Sequence, residues 1–104
     1  MKAWDQEVEE LRVWWIPQVP MKAFEVKVKN LEQAKLILNT LADYDIFQYQ
    51  NKIKGDYCNT GGLQCKIDMG YGLEWVDWYD DNGLEIDNMT MEECIAFDKK
   101  TGEQ

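Results

Sequence analysis

Indoles and carboxylates crowd residues 73–81, LEWVDWYDD, more densely than anywhere else in this chain. As a strand, the stretch sends Leu73, Trp75, Asp77 and Tyr79 to one side and Glu74, Val76, Trp78 and Asp80 to the other. Either side offers a ring beside a carboxylate. Rings rimmed by acids suit a protein-binding hot spot or a stacking platform that accepts hydrogen bonds from a ligand's amino groups. Burial under neighbouring segments is the competing reading, because tryptophan is mostly buried in folded proteins. A single sheet cannot bury both indoles against the same helix. The side with Leu73, Trp75 and Tyr79 is the more apolar, so Trp75 is expected in the core. That leaves Trp78 as the expected contact residue, with Glu74, Asp77, Tyr79, Asp80 and Asp81 around it.

Other chemistry is sparse. The chain has no histidine, which removes the commonest general base and the commonest zinc ligand. Asp77, Asp80, Asp81, Glu85 and Asp87 are dense enough to consider a divalent cation, but the twelve-residue calcium-loop pattern and its closing glutamate are missing. Asp80-Asp81-Asn82-Gly83 is better explained as hairpin-turn chemistry. Cys58, Cys65 and Cys94 are odd in number and form no CxxC pair, as expected in a reducing cytoplasm. Cys65 alternates with Leu63 and Ile67 and reads as packing rather than as a nucleophile. No nucleophile elbow, phosphate-binding loop or zinc-protease motif occurs. The glycines of residues 57–62, YCNTGG, precede no helix that could hold a phosphate. The reading is a non-enzyme with no metal and no cofactor.

These residues need a scaffold, and its centre is residues 30–43, NLEQAKLILNTLAD. Ala34, Ile37, Leu38 and Leu41 recur at helical spacing. Asn30 is placed to cap the first turn, with Gln33 at the capping-box position. Upstream, Phe24, Val26 and Val28 alternate with charged residues as a half-buried strand. Residues 12–17, RVWWIP, are a β-forming run that puts Val13 and Trp15 on one face and Trp14 and Ile16 on the other. The two runs should pair across the corner made by Pro17 and Pro20.

Residues 44–49 are given a short strand, and residues 51–62 a loop dense in turn formers. Leu63, Cys65, Ile67 and Met69 make the next strand. Residues 73–79 return, and residues 84–86 come back after the Asn-Gly turn to complete a meander. Thr90 and Glu93 form a second capping box, with Met89 set to staple against Cys94, for a helix to about Phe97. Trp4, Val8 and Leu11 fit a short N-terminal helix. The fold class is α+β: a single domain over 1–104 with one main helix on a mostly antiparallel sheet of about five strands, plus a short C-terminal helix. Residues 1–11 and 98–104 are expected to be frayed or peripheral. The expected core is Phe24, Val26, Val28, Ile37, Leu38, Leu41, Leu63, Cys65 and Ile67.

Net charge is −9 and unevenly placed. Residues 1–67 carry nine acidic and nine basic side chains, whereas residues 68–104 carry eleven acidic and two basic ones, Lys99 and Lys100. Such a balance excludes sequence-independent nucleic-acid binding and docking on anionic membranes. It fits either a solubilising surface or a partner protein with a basic face. Imitation of DNA would need carboxylates spread over an extended surface, and −9 supplies few.

Several segments in order resemble a family of small tailed-bacteriophage proteins labelled superinfection exclusion proteins. They are Trp14-Trp15-Ile16-Pro17-Gln18-Val19-Pro20-Met21, the helical run 31–43, Asp56-Tyr57-Cys58-Asn59-Thr60-Gly61-Gly62-Leu63 and Glu74-Trp75-Val76-Asp77-Trp78-Tyr79-Asp80. The resemblance covers roughly residues 13–87. It departs at residues 69–72, Met-Gly-Tyr-Gly, where the family pattern has a short acidic-Gly turn. It brings no catalytic residues. It implies a phage accessory protein in the host cytoplasm, acting on a host or rival-phage protein. A sequestering binder of a nucleotide-like signal in an aromatic pocket is the alternative.

Overall fold

The computed structural model describes residues 2–3, 6–52 and 59–102. Two short strands, β1 (Lys2–Ala3) and β2 (Gln6–Glu7), pair antiparallel with each other. The main sheet is built from β3 (Glu10–Ile16), β4 (Phe24–Val28), β5 (Thr60–Asp68) and β6 (Leu73–Asp77). Its order is β4-β3-β5-β6 and every neighbouring pair is antiparallel. The long helix α1 (Leu31–Gln50) and the shorter α2 (Met91–Lys100) complete the α+β domain.

Period-two alternation decides the sheet faces. Leu11, Val13 and Trp15 are buried beside Leu63, Cys65 and Ile67 of β5 and Val28 of β4. Leu31, Ala34 and Leu38 of α1 close this layer from the helix side. Phe24 lies on the same side of β4 yet is 58% exposed, because it sits at the corner where the strand begins. Val26, Ile37 and Leu41 are half-buried, so of the expected core Val28, Leu38, Leu63, Cys65 and Ile67 are fully covered.

Both helix starts carry the caps that their sequences specify. Asn30 Oδ1 accepts from the Gln33 N–H at 2.9 Å, while Gln33 Oε1 accepts from the Lys29 N–H at 2.8 Å. The Thr90 hydroxyl accepts from Glu93 N–H, and Glu93 Oε1 accepts from Thr90 N–H. A third contact ties the two helices together. Asp98, 3% exposed in α2, accepts from the Leu31 N–H at 3.0 Å and the Glu32 N–H at 2.9 Å, so a carboxylate from α2 sits at the positive end of α1.

Five local readings are corrected. The segment before residue 10 is not helical where described: Leu11 belongs to the β3 alternation, and Trp4 lies outside the described residues. Residues 44–50 continue α1 instead of forming a strand, because the helical stripe is carried onward by Asp45, buried and bonded to Trp15. β5 begins at Thr60, three residues earlier than the alternation of Leu63 and Cys65 suggests. Residues 84–85 form no strand. The Asp80 carboxylate accepts from the Asn82 and Leu84 N–H groups, and a 3-10 turn, Ile86–Asn88, follows. α2 also runs beyond Phe97, since burial of Asp98 against α1 holds its last turn in place.

Candidate functional site

The two indoles of residues 73–79 sit the opposite way from the expectation. Trp78 is 1% exposed, stacks edge-to-face on Phe97 at 5.4 Å and donates Nε1–H to the Lys2 carbonyl at 3.1 Å. It is core and cannot be the contact residue. Trp75 points to the other face of the sheet, away from the helices. There the Arg12 guanidinium lies 4.2 Å from its ring centroid and Lys66 Nζ lies 5.7 Å away. Counting apolar neighbours misled because Leu73 stands at the hairpin tip, 50% exposed, and the Trp75 ring is covered by cations rather than by a helix.

That open face is a ladder of paired charges. Glu10 meets Lys27 at 2.9 Å and Lys66 at 3.2 Å, and Arg12 meets Glu25 at 3.3 Å while donating to Gln64 at 2.8 Å. Hydrogen bonds from the two lysines hold the Glu10 carboxyl below its ordinary range. Exposed ion pairs of this kind add little stability each. They do leave each of these five charges beside one of opposite sign.

Among the described residues this pairing of charges stops at the end of the sheet. β6 stops at Asp77 opposite Gln64, and Trp78 N–H donates to the Leu63 carbonyl as the last contact on that side. Beyond it, Gly61 and Gly62 remain paired with β3 through Trp15 and Trp14. A cleft of about 80 Å³ opens there, lined by Trp14, Gly61, Gly62, Asp77, Glu85 and Asp87 with Trp78 and Ile86 beneath. The glycine pair makes room for both indoles. A Cβ on Gly62 would come within 3.0 Å of Trp14 Nε1, and one on Gly61 would overlap the Trp15 ring. The Ile86 carbonyl is tied to α1 by Lys35 Nζ at 3.1 Å, which fixes the far wall.

Asp77, Glu85 and Asp87 are all exposed, and among the described residues none of them is in an ion pair. Among the described residues no three carboxylate or thiol ligands converge closely enough to hold a metal ion. Cys65 and Cys94 are buried free thiols, each pushed up to about 11 chiefly by burial, which makes both poor nucleophiles. Cys58 lies outside the described residues.

Of the expected contact residues, Asp77 lines the rim of this cleft and Trp78, buried, lies beneath it. Glu74 is exposed and accepts from the Tyr71 hydroxyl at 2.9 Å near the hairpin tip. Tyr79 and Asp80 are half-buried, the latter serving the turn. Asp81 is exposed beside a separate cavity of about 420 Å³ with Lys2, Glu7, Phe97, Lys100 and Thr101. Trp14 was legible only as an indole on one face of its strand. Glu85 and Asp87 were visible only as members of a carboxylate cluster. The Gly61-Gly62 pair next to two consecutive tryptophans was the signal that could have joined them.

An antiparallel sheet with both helices on one face and a carboxylate-rimmed cleft at its end defines the class of the domain. Residues 10–98 match the family described as Superinfection exclusion gene product 17, and the chain belongs to that family. It is 49% identical over 79 residues to the Superinfection exclusion protein of Salmonella phage P22, a match covering 67% of this chain and 77% of that relative. No solved structure matches the chain. Among the described residues no helix is long and apolar enough to cross a membrane.

Proposed function

We propose that this chain acts in superinfection exclusion as a non-enzymatic phage protein of the host cytoplasm, binding a host or rival-phage protein and altering what that protein does. The observation that carries the reading is the cleft beside Trp14. Three carboxylates that form no ion pair among the described residues surround an indole wall, while on the neighbouring open face Glu10, Lys27, Lys66, Arg12 and Glu25 are paired. A lysine or arginine of a partner would find a ring face for cation–π contact and acceptors for its N–H groups. The family relationship supplies the biological setting. A nucleotide-sized ligand draws less support: such pockets run to about 300–1,000 Å³, the cleft measures about 80 Å³, and the cavity of about 420 Å³ beside Asp81 offers one ring, Phe97, among the described residues.

The test replaces Asp77 and Asp87 with asparagine and Glu85 with glutamine in one chain. The amides keep the shape and remove the charge. Host cells expressing the wild type should resist a superinfecting phage, and cells expressing the triple variant should lose most of that resistance while the purified variant melts normally. Capture of a host or phage protein by the wild type but not the variant would name the partner. Full exclusion by the triple variant would refute the role given to the cleft.

A further inference from the structure

The outer edge of β4 is self-complementary. In β5 the Leu63 carbonyl accepts from Trp78 on the β6 side, whereas the Lys66 carbonyl accepts from the Glu9 N–H on the β3 side. Successive residues of a strand turn their main-chain groups to opposite sides. Even-numbered β5 residues therefore bond to β3, and their partners Arg12 and Trp14 face β5. Leu11, Val13 and Trp15 then face β4, where they meet Val28, Val26 and Phe24. That leaves Glu25 and Lys27 with N–H and C=O groups directed outward. Among the described residues no strand pairs with this edge.

The side chains agree with the main chain. Read against itself in antiparallel sense about Val26, the sequence Phe-Glu-Val-Lys-Val sets Glu25 opposite Lys27, Lys27 opposite Glu25 and Phe24 opposite Val28. Both opposite-charge pairs fall at positions whose main-chain groups also face the neighbour, so each pair exchanges two hydrogen bonds. We propose that β4 joins β4 of a second copy of this chain, antiparallel about a two-fold axis at Val26, making one continuous sheet of two four-stranded halves. Within each copy Lys27 already meets Glu10 and Glu25 already meets Arg12. The joint therefore lengthens the charge ladder: Glu10, Lys27, then Glu25 and Arg12 of the second copy. Phe24, 58% exposed in one chain, is covered by Val28 of the other. The interface is isologous and closes at two copies.

Sedimentation equilibrium of the full chain from micromolar to millimolar concentration tests this. The mass rises from 12.3 kDa toward twice that value. Glu25→Lys places lysine against lysine, and Lys27→Glu places glutamate against glutamate, so either variant alone weakens association about tenfold or more. Mixing the two variants restores opposite charges at both positions and yields a mixed dimer, which loss of folding could not produce. In the wild type, hydrogen exchange of the Glu25 and Lys27 amides slows with concentration while that of Val26 does not. A wild-type mass fixed at one chain overturns the proposal. So does unweakened association of both single variants, or a mixture that stays monomeric.

Discussion

Replacing Trp78 and Trp75 separately by alanine should give very different losses. Trp78 is 1% exposed, its ring packs on Phe97 and its Nε1–H satisfies the Lys2 carbonyl. Truncation opens a cavity bounded by strand and helix, so the cost is about 3–5 kcal/mol. Unfolding a chain of 104 residues carries an entropy of about 0.22 kcal/mol per degree, so the melting temperature should fall by roughly 15–25 °C. Trp75 loses a cation–π contact of about 0.5–1 kcal/mol. Its cover is the flexible stems of Arg12 and Lys66, which close over the gap, so the total should stay near 1–2 kcal/mol, or about 5–10 °C. Trp78→Phe refines the argument. It keeps the ring and strands the Lys2 carbonyl, at about 1–2 kcal/mol. Thermal melts followed by circular dichroism read all three. A Trp75→Ala variant that melts as low as Trp78→Ala would refute the assignment of faces.

Asp98→Ala should cost about 1–3 kcal/mol by stranding two N–H groups of the first turn of α1, and Asp98→Asn less, checked by denaturant titration. Gly61→Ala forces a methyl into the Trp15 ring and to 2.8 Å from the Trp14 carbonyl; a loss of about 1–3 kcal/mol is expected, with the indole fluorescence shifted. Glu10 has its folded pKa below the ordinary 4.5, so the stability it confers is present above the unfolded value and disappears as pH falls through the folded one. Stability measured from pH 6 downward should therefore show a smaller acid loss in Glu10→Gln than in the wild type.

Strands β3 and β5 were legible because local alternation and burial agree there, and β4 was legible from its alternation although only Val28 is fully covered. Val13 and Trp15, Val28, Leu63, Cys65 and Ile67 all turn inward as their spacing requires. The second half of α1 was not legible because its inward stripe passes through an aspartate. Leu31, Ala34 and Leu38 lead to Asp45, whose burial depends on donors from Trp15 and Asn59 that are remote in sequence. Hydrophobic periodicity does not register a buried carboxylate. The faces of residues 73–79 failed for a related reason. The ring that looked apolar, Trp75, is matched to cations supplied by β3 and β5, and those partners become visible only through the register. Asp77 was found from its place among aromatics, whereas Trp14, Glu85 and Asp87 reach it only after the chain has folded.

The carboxylate of Asp98 reaches back 67 residues to the first turn of α1. A nascent chain emerging from the ribosome can wind α1 and lay down β3 and β4, yet the Leu31 and Glu32 N–H groups stay without that acceptor until α2 has been synthesised. Late, long-range closure of this kind delays cooperative folding. A chain truncated just before residue 98 would carry the sheet strands, the cleft residues and all of α1, and would still lack the contact that locks the start of the main helix. In this fold the start of the main helix is secured only once residue 98 is in place.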